Sequence, residues 1–271
     1  MQYCRINKLV IGGDAPIRLM GVINCSPESF YSDSYVPTDA VHATAVEMME
    51  QGADLVDIGA RSTAPNTQAI SGSEEASRME AALSQMDGSG IPVSVDTLHP
   101  GVLEVCLRHD IHAVNDISGL SSPMYARLVA GSGLPAFVMA SDYQPGDAVG
   151  LAKTIAALGS VVCRCETYGI KDYVLDPGIG LWTAMRSPEN DWELCQNFEQ
   201  FSAFGRPLLA AVSRKSFIGN LINREPVDRL AGSLAVTLML LQKGASVVRA
   251  HDVPQTADVI RVYQRMADSN E

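Results

Sequence analysis

Eight short apolar runs recur along this 271-residue chain, and nearly every one closes on polar residues. They are RLMGVIN (18–24), ADLVDIG (53–59), IPVSVDT (91–97), HAVNDIS (112–118), PAFVMAS (135–141), DYVLDPG (172–178), PLLAAVSRK (207–215) and SVVRAHDV (246–253). Most are rich in Val, Ile or Leu without alternation, which is how a strand covered on both faces reads. Helix signals fill the gaps. Residues 38–52 open on Thr and stop at Gly. Residues 71–90 open on Ser with acidic residues in the first turn. PGVLEVCLRHD begins with Pro, and SLAVTLMLLQKG ends on Lys and Gly. These residue types stabilise helix ends at those positions.

Strands alternating with helices over this length predict an α/β chain folded as a single (β/α)8 TIM barrel. One domain is expected over residues 1–271, with the barrel at about 18–265. A doubly wound open sheet is the alternative, but no GxGxxG follows the first strand, which weakens its dinucleotide version. In a barrel the carboxyl ends of the strands meet at one mouth. Asn24, Asp57, Asp96, Asn115, Asp116, Ser141, Asp176, Ser213 to Lys215 and Arg249 to Asp252 would converge there. Such groups are costly beside a core unless paired or used.

That mouth has two halves. Asp96, Asn115 and Asp176 offer acceptors and an amide, which suit a flat heterocycle bearing N–H and NH2 donors. Arg214, Lys215, Arg249 and His251 offer cationic donors, which suit phosphate or pyrophosphate. Asn24 would orient a hydrated Mg2+ held mainly by phosphate oxygens. A net charge of −11 argues against nucleic acid as a partner. The six cysteines form no CxxC pair and read as free thiols of a reducing cytoplasm. The opening residues lack a signal-peptide pattern, and no stretch reaches 18 apolar residues, so a cytoplasmic protein without a membrane partner is expected.

MGVINCSPESF (20–30), IGARSTAP (58–65), VSVDT (93–97), VNDISG (114–119), LDPGIG (175–180), AVSRKSFIG (211–219) and VRAHDV (248–253) resemble the dihydropteroate synthases, pterin-binding barrels of folate biosynthesis. The resemblance runs in order from about residue 18 to 262. It implies a Mg2+-dependent transferase that condenses 6-hydroxymethyl-7,8-dihydropterin pyrophosphate with p-aminobenzoate and releases pyrophosphate. Asp96, Asn115, Asp176 and Lys215 match the pterin-holding residues, and Asp96, Asp176 and Lys215 are the expected catalytic set. Asn24, Arg249 and His251 match the metal and pyrophosphate positions, with Arg61 as a further candidate. Thr63, Pro65 and Ser213 match positions beside the arylamine. The family is commonly dimeric, so a homodimer is expected, with the apolar helix SLAVTLMLLQKG (233–244) as a candidate face.

The pattern also departs from the family. GARSTAP stands where GESTRP is usual, so Ala64 replaces an arginine and Arg61 a glutamate. Leu181, Trp182 and Thr183 follow Gly180 where the family has a pocket aromatic and a lysine, and VMASDYQPG ends the fifth run. Trp182 and Trp192 read as packing or rim residues. Because the changes fall near the second substrate, the same condensation with a ribosylated aminobenzene phosphate, as in methanopterin synthesis, stays open. A methyltransferase between a tetrahydropterin and a corrinoid protein, and a non-catalytic pterin binder, are further alternatives.

Overall fold

The structure, a computed structural model, describes residues 2–27, 35–62 and 70–267. A hairpin comes first, β1 (Cys4–Ile6) pairing antiparallel with β2 (Leu9–Ile11). The barrel strands follow: β3 (Arg18–Asn24), β4 (Leu55–Gly59), β5 (Val93–Asp96), β6 (Ala113–Asp116), β7 (Ala136–Met139), β8 (Tyr173–Asp176), β9 (Leu209–Ala210) and β10 (Val247–Ala250). All neighbours are parallel, and β3 pairs with both β4 and β10. A bridge between Leu175 and Leu208 joins β8 to the β9 segment and closes the ring. Each of the eight apolar runs contains one barrel strand, and the barrel, not the open sheet, is what forms.

Helices surround the ring: α1 (Val41–Glu50), α2 (Gly72–Leu83), α3 (Pro100–Cys106), α4 (Pro123–Ser132), α5 (Leu151–Tyr168), α6 (Pro188–Gln196), α7 (Ser216–Ile222), α8 (Leu230–Gln242) and α9 (Val253–Ala267). Their ends follow local chemistry. Ser71 accepts from the Glu74 N–H at the start of α2, and Ser122 does the same for Tyr125 in α4. Gly133 and Gly169 close α4 and α5 in the left-handed conformation. Among the described residues, no helix is long and apolar enough to cross a membrane.

Two cores result. The larger lies between the strands and the helices. The smaller fills the barrel's amino-terminal end, where Met20, Leu55, Ala113, Phe137, Val174, Leu209 and Val247 point inward against Cys4, Ile6 and Ile11 of the hairpin. The hairpin, which the sequence pattern did not single out, is therefore the plug of the barrel. Burying each large apolar side chain there contributes about 1.5–3 kcal/mol.

Candidate active site

Above the plug a cavity of about 590 Å³ opens at the carboxyl ends of the strands. Asn24, Asp96, Asn115, Asp176, Ser213, Lys215, Arg249 and His251 all line it. Strand alternation decides who reaches it, because successive side chains point to opposite faces. Phe137, Val174 and Val247 face inward in the plug. Two residues further along β8 and β10, Asp176 and Arg249 face inward too. The register pairs Gly59 with Asp96 and Asp96 with Asn115, one rung of the ladder.

The same alternation removes Asp116 from the mouth. It is fully buried on the outer face, where its carboxylate accepts from Ser118 N, Ser118 Oγ and Leu120 N. Ser141 also leaves the expected set, donating to the Ile117 carbonyl. Asp57 lies beneath the cavity. Arg249 Nε donates to Asp57 Oδ2 at 2.7 Å and its Nη2 to Asp96 Oδ2 at 2.9 Å, while Asn115 Nδ2 donates to Asp57 Oδ2 at 2.8 Å. Asp57 thus positions a guanidinium and an amide at once.

Electrostatics follow from enclosure. Desolvation pushes the Asp96 carboxyl up to about 7 against the pull of Arg249, with Asp57, Glu75 and Asp116 adding to the rise. Burial also raises Asp176, although the Gly178 N–H donates to it at 2.7 Å and Lys215 favours its charge. Desolvation brings Lys215 down to about 8, with Asp176 opposing.

The Ser213–Arg214–Lys215 turn splits its side chains. Arg214 takes a left-handed φ of 55°, which sends it out while Ser213 and Lys215 line the cavity. Its guanidinium binds both Asp252 oxygens, at 2.8 and 2.6 Å, and the carbonyls of Pro226 and Val227. Arg214 therefore braces the barrel wall and is no cationic donor of the mouth. His251 also differs from expectation. Burial and the nearby Arg249 hold its pKa down to about 3, so it is neutral, with Nδ1 3.0 Å from Ser213 Oγ.

Arg61 lies on the cavity wall, but its Nε donates to Glu75 at 2.6 Å and its Nη2 to the Ile70 carbonyl at 2.6 Å. Its charge is thus paired with a buried carboxylate that also accepts from Thr97 Oγ1. Thr63 and Pro65 lie outside the described residues. Two further residues enter the site. Trp182 lines the cavity, one of the two places expected of it, whereas Trp192 packs edge-on against Phe217. Arg186 lines it as well, beside the buried Asp191 at 3.3 Å. A loop following a strand that ends in an inward aspartate was the available signal for both.

Fold and mouth together define a barrel enzyme that holds a nitrogen heterocycle beside an anionic group. The chain belongs to the family described as pterin binding enzyme, whose model matches residues 20–251. It is 32% identical to the dihydropteroate synthase of Escherichia coli (strain K12), over 93% of each chain. Among solved structures it resembles a dihydropteroate synthase of Coxiella burnetii in complex with pteroic acid, with TM-score 0.87 and 27% identity over 99% of this chain and 100% of that one. It also resembles the Xanthomonas albilineans enzyme with 4-aminobenzoic acid, with TM-score 0.84 and 32% identity over 98% of each.

Proposed function

We propose that this chain catalyses the dihydropteroate synthase reaction, joining 6-hydroxymethyl-7,8-dihydropterin pyrophosphate to p-aminobenzoate with release of pyrophosphate. One observation carries the reading: Asp96, Asn115 and Asp176 line the same cavity as Lys215 and Arg249, in a chain alike over most of its length to enzymes of that name. The carboxylates and amide take the N–H and NH2 donors of the pterin, and Lys215 gives a proton donor to its ring acceptors. The C–O bond to pyrophosphate breaks with its electron pair leaving on the phosphate oxygen. The carboxylates stabilise the electron-poor pterin that results. The arylamine nitrogen then forms the C–N bond and releases its proton to solvent or pyrophosphate. Neutral His251, held by Ser213, offers a hydrogen bond without a charge.

Asn24 fits a Mg2+ brought in by pyrophosphate. The asparagine lines the cavity, its Oδ1 accepts from the Ser26 N–H at 3.1 Å, and an amide oxygen is among the oxygen ligands that hard cations take. Among the described residues no three His, Cys, Asp or Glu side chains gather as a metal cage, which suits an ion held chiefly by phosphate oxygens. Such an ion would neutralise charge on the leaving group. A homodimer and a cytoplasmic location complete the reading. Exposed Leu221, Val227, Met239 and Val262 on one flank support the first, and six free thiols the second.

The test is pyrophosphate release from dihydropterin pyrophosphate and Mg2+, with p-aminobenzoate in one reaction and a ribosylated aminobenzene phosphate in another. Turnover with p-aminobenzoate is expected. Turnover with the ribosylated amine alone would move the chain to methanopterin-type synthesis, and pterin binding without turnover would overturn the condensation.

A further inference from the structure

The segment Leu181–Trp182–Thr183 departs from the family, and its indole meets the half-buried ammonium of Lys215. We propose that Trp182 is a positioning residue that seats the Lys215 ammonium on its indole face, holding it at the cavity wall with its N–H donors left for substrate. The inference rests on the condensation reading, in which Lys215 contacts the pterin.

Three observations carry it. Lys215 Nζ lies 4.6 Å from the Trp182 ring centroid, within cation–π range. Lys215 is half-buried in the cavity wall, and among the described residues no side chain or carbonyl hydrogen-bonds or ion-pairs with its Nζ. The indole itself is fixed. Its Nε1 donates to the Gly178 carbonyl at 2.9 Å, and its backbone N–H to the Gly180 carbonyl at 3.0 Å. Gly180 has φ +145°, and its N–H donates to the buried Asp191 at 2.8 Å. A Cβ on Gly180 would come within 2.9 Å of Lys215 Nζ and 3.4 Å of Trp182 Nε1. From the β7 loop, Gly146 presses so close that a Cβ there would overlap Trp182 Cβ.

The chemistry separates this seat from an ion pair. A carboxylate in contact with Lys215 would neutralise it and occupy its donors. The π face attracts the ammonium and takes no directed hydrogen bond. The charged groups around Lys215 oppose one another: Asp176 and Asp191 favour its charge, while Arg249 and Arg186 disfavour it. The indole adds to the favourable side.

Trp182→Leu removes the face and Trp182→Phe keeps a weaker one. Both are compared with wild type by the pH dependence of kcat/KM and by NMR titration of the Lys215 side chain. For Trp182→Leu the Lys215 midpoint should fall, and kcat/KM at neutral pH should drop about tenfold, chiefly through KM for the pterin. Trp182→Phe should recover most of both. An unchanged Lys215 midpoint in Trp182→Leu, or a Phe variant no better than Leu, would overturn the proposal. Should the Leu variant not fold, fluorotryptophan-labelled wild type answers instead. The chain has 2 tryptophans, and the Trp182 resonance should track the Lys215 titration while that of Trp192 stays flat. A flat Trp182 resonance would refute the seat. Wild type that makes no dihydropteroate yet shows the coupled titration would sink the condensation reading and leave the seat standing.

Discussion

At the amino-terminal end of the strands the barrel is filled by apolar side chains and closed by a hairpin; at the carboxyl end the same strands present Asp96, Asn115, Asp176 and Arg249. Several strands contribute to both ends two residues apart, as Val174 and Asp176 do on β8 and Val247 and Arg249 on β10. The plug stabilises and the mouth does chemistry, with Asp57 between them. Substitutions should therefore separate stability from activity according to height in the barrel.

The largest effect is expected from Lys215→Met, with kcat/KM falling about 10²–10³-fold and the thermal midpoint unchanged or raised, since a desolvated charge is removed. Assay and thermal melt on one sample check this. A melt that collapses with the activity would break the division. Phe137→Ala at the plug should do the reverse, costing about 3–5 kcal/mol in denaturant unfolding while the folded fraction keeps wild-type kcat/KM. Asp57→Ala should lose on both counts, by about 3–5 kcal/mol, because Arg249 is left without one buried partner and Asn115 without its acceptor. If its activity were untouched, Asp57 would belong with the plug.

Proton uptake sharpens the same contrast. Asp96 is raised to about 7, so between its unfolded value near 4 and about 7 the native state binds the extra proton. Its contribution to stability falls as pH rises through that window. His251, lowered to about 3, acts oppositely: the unfolded chain takes up a proton below about 6.5, so stability is lost as pH falls from there. Pterin donors favour the ionised Asp96, so binding near neutral pH should release a proton. Calorimetry in buffers of different ionisation heat measures it, and Asp96→Asn should abolish it. The smallest effect is expected from Ser71→Ala, about 1 kcal/mol from the cap of α2, with a slight loss of activity through Glu75 and Arg61.

Much of this was legible in the sequence. The eight runs marked the strands because parallel strands covered on both faces leave an unbroken apolar signature. Asp96, Asn115, Asp176, Lys215 and Arg249 were readable because each follows its run at the inward parity or on the turn beyond. Asp116 was misread as a mouth residue because adjacent positions on a strand face opposite ways, and a run read as a block hides that. Arg214 and the charge of His251 needed three dimensions: partners such as Asp252 and Ser213 lie 38 residues away. The hairpin left no mark because three-residue strands carry too little pattern. Trp182 was discounted because an aromatic in a loop says nothing of the ammonium it will meet.

The most direct test mixes the protein with dihydropterin pyrophosphate, Mg2+ and isotope-labelled p-aminobenzoate, and looks for labelled 7,8-dihydropteroate by mass spectrometry, with Lys215→Met beside it. The account predicts labelled product from wild type and a rate lower by orders of magnitude from the variant. Bound pterin with no labelled product, or equal rates from the two proteins, would contradict it.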